Sequence, residues 1–513
     1  MNLRQEAREL VSNLNQQMSP SPYDIAWLAR LRVDDKPRWP HLIDWLLDHQ
    51  YPDGSWGAEV VYYHDRIIST LAAAIALHFN GHDDRAKRAV KRAERYLWGH
   101  VHLLHRDPFE LVGFELIFPT LLAEAHALGL DTPTHACGYD QIQLAKLRLI
   151  PSEMLYSPRV TTIHSLEFLG RMGDLAQLKK AVGENGSIGN SPAATAYYLS
   201  MGIQDERAVK YLEDVQKAVG HVNILYPFHT FELTWVLNNL DFSGVPITEF
   251  ADKAIWEGLQ KLLTAEGIGL DTTFGIPDGD ITSVTSRLLT DAGYKVDPMI
   301  LAKYENKEKQ LFRTYHFERN MSVGTNIHAL EALQAMTDYP NRLQVQDQIA
   351  VAILDKRIFN IYWLDKWHAS PYYATSHVLI GFLRQGGYLI PTCRPSVDWI
   401  LHTQREDGSW GFYAEGTAEE TAYALTALLH YHRYQPVSEE ILQRGAEYLT
   451  RTYKGKGSTY PALWIDKSLY VPHDVVRAAV LGALMLYEET IKKPVEVEKV
   501  DAKAPEVQQK MPA

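Results

Sequence analysis

The segment "IDWLLDHQYPDGSWG" (43–57) returns near the other end of the chain as "VDWILHTQREDGSWG" (397–411), with Asp-Trp, Gln and the DGSWG turn at the same spacing. A recurrence of this kind marks a repeated supersecondary unit. Each copy is followed by a helix rich in small residues, "DRIISTLAAAIALHF" after the first and "AEETAYALTALLHYH" after the second. Weaker relatives of the same turn-then-helix unit are "GSIGNSPAATAYYL", "GIPDGDITSVTSRLL" and "ASPYYATSHVLIGFL". In the two strong copies Gly54 and Gly408 supply the turn geometry, and Trp56 and Trp410 are expected to dock on neighbouring helices as staples. They identify an architecture and not a reaction.

Between the turns, apolar residues recur at three- and four-residue steps through 85–98, 250–263, 326–336 and 475–487, while strand-like alternation is scarce. The chain therefore reads as nearly all helical. Helical hairpins whose inner members begin after Gly-rich turns can close into a double ring, an α/α barrel, with the inner N-termini at one mouth. A length of 513 residues exceeds a single core and suits two such barrels. Gly and Pro interrupt the periodicity in "LDFSGVPITEF" (240–250), which marks a linker.

Composition narrows the function classes. An apolar fraction of 46% with 11% aromatic residues describes a globular protein. A net charge of −12 and a pI near 6.0 argue against a basic face for nucleic acid, though not against a local basic pocket. Cys137 and Cys393 are far apart and form no metal-ligand cluster, so both are expected as free buried thiols in a reducing compartment. The N-terminal stretch reads as a charged amphipathic helix without a secretory h-region. No window holds about 18 uninterrupted apolar residues. A cytoplasmic protein is expected, with a charged, solvated tail over 491–513.

The stretch "FGIPDGDITSVTSRLL" (274–289) places Asp278 and Asp280 one glycine apart at the start of a helical pattern. Two such aspartates can cap the helix and complement its dipole. The run that follows them looks interior, however, and a buried carboxylate must be paired, ligate a metal or hold a proton. Beside an ionised neighbour in an apolar site, one carboxyl can stay protonated near neutral pH and serve as a general acid. Asp-Gly-Asp alone makes a poor magnesium site. Asp83-Asp84 in "GHDDRAK" does not complete a DDxxD motif, because Lys87 takes its last position.

Taken in order, "SPYDIAW" (21–27), the DGSWG turns, "HDRIISTLA" (64–72), "VGFELIFPTLLAEA" (112–125), "PDGDITSV" (277–284), "DKWHASPYYATSH" (365–377) and "ALWIDKSLY" (462–470) resemble class II diterpene cyclases. The likeness runs over nearly the whole chain. It implies two α/α barrels, called β and γ, without a class I domain: 1–19 with 245–490 as the β domain carrying the acid, 20–244 as the γ domain, and 491–513 as the tail. The implied reaction is protonation of the terminal alkene of geranylgeranyl diphosphate, with cyclisation and retention of the diphosphate.

The resemblance also assigns roles. The family's DxDD motif places its acid on Asp280, with Asp278 orienting or polarising it, while Ile281 stands where the last Asp is usual. "TTIHSLEF" (161–168) is similar to the segment whose histidine helps to hold the final base in copalyl diphosphate synthases, which maps onto His164. The asparagine that accompanies it there is matched one residue out of place by Asn223 in "HVNILYPF". Lys146, with Arg148 beside it, in "KLRLIP", Lys366 in "DKWH" and Lys467 in "WIDKSLY" are implied diphosphate contacts. Asp107 and Glu110 in "RDPFELVGFE" are implied ligands for Mg²⁺. Trp235, Trp363, Trp367, Tyr372, Tyr373 and Trp410 are candidates to face the carbocation, since ring faces stabilise cations by roughly 0.5 to 2 kcal/mol each. Asn326 is expected to line the pocket. The implied product is a bicyclic diterpenyl diphosphate, either copalyl or a rearranged kolavenyl or halimadienyl type. A downstream class I terpene synthase or phosphatase is the implied partner, and an oligomer is left open.

Three other readings compete. A squalene-type triterpene cyclase shares the DGSW turns but not the diphosphate-binding matches. A glycoside hydrolase on an α/α barrel needs carboxyls at least roughly 5 Å apart across a wet cleft. A non-catalytic prenyl-diphosphate-binding protein would account for Ile281 as a mark of lost activity.

Overall fold

A computed structural model describes residues 2–492 apart from 317 and 319. The helices form two closed rings. In the first, Pro22–Ala29, Tyr63–Asn80, Phe114–Ala127, the 3-10 segment Thr161–Met172 and Pro192–Ser200 each pack on the next, and the last returns to the first. In the second, His229–Asp241, Gly279–Asp291, Val323–Ala335, Pro371–Gln385, Ala418–His432 and His473–Lys492 close in the same way. Other helices lie outside each ring, among them Glu206–Val219 on the first and Glu439–Thr452 on the second. Strand structure among the described residues is confined to three hairpins of two-residue strands. The expected all-α, double-barrel class is the observed one.

The sequence pattern accounts for the two layers. Glu206–Val219 buries Ala208, Tyr211, Leu212, Val215 and Val219, an apolar stripe at helical spacing with charge on the opposite face. In the ring helix Gly279–Asp291, by contrast, all eleven residues from Gly279 to Leu289 are buried. Such helices have neighbours on every side and need small or apolar residues all round. The turn that leads into a ring helix is fixed twice. The indole Nε1 of Trp56, Trp363 and Trp410 each donates 2.7 Å to the carbonyl ten residues earlier, at Leu46, Ile353 and Ile400. Their backbone N–H groups donate 3.0 Å to Thr70, Thr375 and Thr421 in the helices that follow. Trp363, expected to face a carbocation, is therefore the third staple of the series, and Trp410 is likewise a staple. Thr282 accepts in the same manner from Ile268 N–H at 3.1 Å. At Gly54 and Gly408, with φ of +97° and +89°, a Cβ would lie 2.6 and 2.4 Å from the carbonyl oxygens of Arg92 and Arg444. Only glycine fits either turn.

The expected division at 244/245 needs moving. His229–Asp241 is a member of the second ring, so we place the division just ahead of it, near 228. The N-terminal helix Leu3–Ser12 packs on His229–Asp241 and His473–Lys492 of that ring. The last helix runs to Lys492, and the rest of the expected tail lies outside the described residues. Cys393 is buried as expected, but Cys137 is exposed, in a turn where its Sγ lies 3.8 Å from Val101 O.

Glu232, in the first turn of His229–Asp241, is fully buried; Oε2 accepts from Gln16 N–H at 3.1 Å while Oε1 has no partner among the described residues. Burial, and then the charge of Asp474, push its carboxyl from 4.5 up to about 8. The folded state thus holds a proton that the unfolded chain has released, and stability falls as pH rises from about 4.5 to about 8. Glu232→Gln should remove that slope, adding about 3 kcal/mol at pH 7 from the 1.36 kcal/mol per pH unit of linkage. Denaturant midpoints of both proteins at pH 5 and pH 8 check it: a gain confined to the higher pH is expected, and an equal change at both is the contrary result.

Candidate active site

The N-terminal mouth of the second ring opens into a cavity of about 1740 Å³ whose far wall belongs to the first ring. Asp278 and Asp280 lie on its wall, 3% and 8% exposed, with Trp235, Tyr373, Trp367 and Trp464 around them. The wall is mostly carbon, and its aromatic faces come from several ring helices and from the Trp464–Tyr470 hairpin.

The two aspartates do different work. Asp278 is the N-cap: Oδ1 accepts from Ile281 N–H at 2.7 Å, as the hydroxyls of Ser322, Ser370 and Thr417 cap other helices of this ring. Burial first, then the neighbouring Asp280 carboxyl, push its carboxyl well above the ordinary range, so Asp278 is held neutral. Gly279 between them is required, because a Cβ there would lie 2.2 Å from the Arg313 carbonyl oxygen.

Asp280 points to chemistry. Its Oδ1 is 2.6 Å from Nδ1 of His328, a short contact, and Nε2 of His328 is 2.9 Å from Nδ1 of His377. Burial works to lower the affinity of His328 for a proton, but the charge of Asp280 once it has lost its proton, with a smaller share from Glu331, outweighs burial and draws the imidazole up. Trp235 meets His328 edge to face at 5.4 Å and stacks on Phe231. In the stretch "ERNMSVGTNIHAL" (318–330), which resembles bacterial copalyl synthases, His328, like Asn326, is assigned no more than a pocket-lining role by the sequence. Four residues along a helix from Gly324, it reaches the acid because its helix is the ring neighbour of the Asp280 helix.

Across the cavity, His164 lines the wall of the first ring. Its Nδ1–H donates to Gly189 O at 2.9 Å, and Nε2 faces Oδ1 of Asp466 at 3.2 Å. Burial would raise Asp466, yet His164, and then Lys467, hold it below the ordinary carboxylate range. Asp466 was not anticipated; its sole trace in the sequence is its place beside Lys467 in "WIDKSLY".

The predicted cations divide. Lys146 and Lys366 line the cavity, the first paired with Glu115, the second with Glu318 and 4.7 Å above the ring of Trp367. Arg148 is exposed and off the cavity wall. Arg159, not anticipated, lines the mouth and has no ion-pair partner among the described residues. Lys467 is no diphosphate ligand. It is completely buried, and Nζ donates to Glu167 and to His164 O at 2.9 Å and to Ser191 at 2.5 Å. It ties the Trp464–Tyr470 hairpin to the first ring. Lys467→Met should cost roughly 3 to 5 kcal/mol by leaving Glu167 buried without its cation, and a chemical denaturation curve that does not move would contradict the assignment.

Further expectations are corrected by position. Tyr372 points away from the cavity, donating to Thr403 Oγ1 at 2.8 Å and stacking on Trp399. Asn326 clamps the backbone of Phe312 in both directions, at 2.8 and 2.9 Å, and does not line the cavity. Asn223 is buried off the wall, with neither side-chain atom partnered among the described residues. Asp107 and Glu110 do not fit a magnesium ion serving this cavity. They line a separate one of about 500 Å³, where Asp107 Oδ2 accepts from His64 N–H and contacts its Nδ1, both at 2.7 Å, and Glu110 accepts from Tyr139. Among the described residues no group of His, Cys, Asp and Glu is arranged to hold a metal ion.

Two helical rings enclosing an aromatic chamber, with a pair of buried, hydrogen-bonded carboxyls on its wall, are the machinery of a proton-initiated cyclase. A type B diterpene cyclase of Mycobacterium tuberculosis is 34% identical over 503 residues, covering 92% of this chain and 96% of that relative. An ent-copalyl diphosphate synthase of Streptomyces sp. is 30% identical over 499 residues, 91% of this chain and 92% of the relative. The solved structure of ent-copalyl diphosphate synthase from Streptomyces platensis matches with a TM-score of 0.79 at 30% identity, over 95% of this chain and all of that one, 100%. That of Arabidopsis thaliana, at 23% identity and a TM-score of 0.68, covers 95% of this chain and 63% of its own and shares the fold. No family model matches the chain. The chain belongs to the class II diterpene cyclases, and it is an enzyme.

Proposed function

We propose that the protein protonates the terminal alkene of geranylgeranyl diphosphate and cyclises it to a bicyclic diterpenyl diphosphate. The observation that carries the reading is the short Asp280–His328 contact on the wall of an apolar chamber of about 1740 Å³. Asp280 delivers its proton to the alkene; His328 N–H holds the carboxylate that remains, and the tertiary cation forms among Trp235, Tyr373 and Trp464. Asp278 stays neutral, so a second negative charge does not oppose the loss of the proton. Exclusion of water keeps the cation from being quenched before the rings close.

Lys146, Lys366 and Arg159 at the mouth suit the diphosphate, which keeps its bond to carbon throughout. A magnesium ion would come with the diphosphate and not on a site made by Asp107 and Glu110. The ionised Asp466, held by His164, is the base for the last proton. Because Asn223 is off the wall, we assign the product to the rearranged kolavenyl or halimadienyl type ahead of the copalyl type. His164→Ala should change the ratio of products or add hydroxylated ones, as water enters where the ring stood; an unaltered product profile relegates His164 to packing. The product retains its diphosphate, so a class I terpene synthase or a phosphatase is the partner that follows.

The adjacent placement of Asp278 and Asp280 in an apolar chamber argues against glycoside hydrolysis. Incubating the protein with geranylgeranyl diphosphate and magnesium, then removing the phosphates, tests the reading. A bicyclic alcohol is expected; unchanged geranylgeraniol would favour a prenyl-diphosphate-binding protein, and activity on squalene alone a triterpene cyclase.

A further inference from the structure

The acid is the first member of a chain that leads away from the cavity into the ring. His377 does not line the cavity; it is 1% exposed and lies behind His328. Phe242, Tyr373 and Tyr423 surround its ring at 5.2, 4.4 and 5.8 Å. The charged groups facing it are Arg287 and Arg384, with His328 and His368 as the nearby imidazoles. A second proton on His377 would sit without solvent beside cations, and burial together with these neighbours holds the ring neutral. A neutral imidazole has a single N–H. Its Nε2 has no hydrogen-bond partner among the described residues, so a proton there would be a buried orphan donor. On Nδ1 the same proton has an acceptor at 2.9 Å, the Nε2 of His328.

This choice propagates. If His377 donates from Nδ1, His328 must accept on Nε2 and carry its own hydrogen on Nδ1, which donates to Asp280 Oδ1 at 2.6 Å. With Oδ1 occupied as an acceptor, the carboxylic proton of Asp280 is left to Oδ2, the oxygen that His328 does not hold. In the reversed chain Asp280 would donate its proton from Oδ1 to His328, and the acid would be turned from the alkene. We propose that His377 is a positioning residue that fixes the direction of the Asp280–His328–His377 chain and so presents the catalytic proton to the cavity. The proposal rests on the reading of Asp280 as the acid. It adds a residue that touches neither substrate nor cation, the last of the "DKWHASPYYATSH" stretch (365–377), to which the sequence assigns no role.

Two measurements on the full chain test it. In the first, cyclisation of geranylgeranyl diphosphate is followed for wild type, Asp280→Asn, His377→Leu and His377→Gln. His377→Leu should lower kcat about a hundredfold, the scale of a positioned proton donor, with KM unchanged because the cavity wall is intact. His377→Gln, whose carboxamide can still donate to His328, should recover to within about tenfold of wild type. Wild-type kcat in His377→Leu, or equal losses in both variants, overturns the proposal. In the second, nitrogen-15 chemical shifts of the histidine rings, with His377 assigned from the spectrum of His377→Gln, report the tautomers directly and need no turnover. Both His377 and His328 should carry hydrogen on Nδ1 with a bare Nε2; a protonated Nε2 on either ring overturns it. An inactive wild type would sink the cyclase reading instead, and the tautomers would still decide the chain's direction.

Discussion

Replacing Asp280 by Asn is expected to abolish cyclisation, a loss of about a thousandfold or more for removal of the proton donor, while the fold is retained. The amide has nearly the shape of the acid, so it can still accept from His328 Nδ1 at the position where Oδ1 sits 2.6 Å away. The N-cap is Asp278 and is untouched, so the start of the Gly279–Asp291 helix keeps its hydrogen bond to Ile281. What the amide lacks is a proton acidic enough to add to an alkene. Circular dichroism and thermal unfolding should match wild type, with geranylgeranyl diphosphate returned unchanged. Retained turnover would move the acid elsewhere, and Asp278 would be the next candidate because its carboxyl is held neutral.

His328→Leu should be nearly as damaging. The carboxylate that remains after proton transfer is buried, and its partner among the described residues is the imidazole N–H. Removing a donor aimed at developing negative charge costs about a hundred- to a thousandfold in kcat where this has been measured by mutation. The leucine fills the space and keeps the contact with Trp235, so the loss should fall on kcat more than on KM. His328→Asn, which can donate from its amide, should recover part of the rate. A Leu variant with wild-type kcat would mean that Asp280 needs no partner.

These effects show what the sequence could convey. The rings were legible because each inner helix is preceded by the same turn, and the turn leaves a local signature in Gly54, Trp56 and their counterparts at 408 and 410. The acid was legible for a similar reason: Asp278 and Asp280 are close in the chain, and the run behind them is visibly interior. Partners brought together by ring closure leave no such trace. His328 is 48 residues from Asp280, and Glu167 is 300 from Lys467. A resemblance transfers residue types without saying which side of a helix they occupy. Tyr372 and Tyr373 are neighbours in one motif, yet the first packs outward on Trp399 and the second faces the cavity. Trp363 was misassigned because its turn lacks the DGSW lettering, although its indole makes the same bond as Trp56. Lys467 was misassigned because a buried lysine and a phosphate-binding lysine look alike until the Glu167 carboxylate is found beside it.

The central claim is that a carboxylic proton from the protein, drawn ultimately from solvent, is added to carbon in the chamber at Asp280. Incubation with geranylgeranyl diphosphate in deuterium oxide, followed by dephosphorylation and mass analysis, tests this most directly. The expected result is a bicyclic alcohol carrying a single deuterium at the carbon of the former terminal alkene, in wild type and not in Asp280→Asn. A cyclised product without deuterium, or the same labelled product from the Asp280→Asn variant, would contradict it.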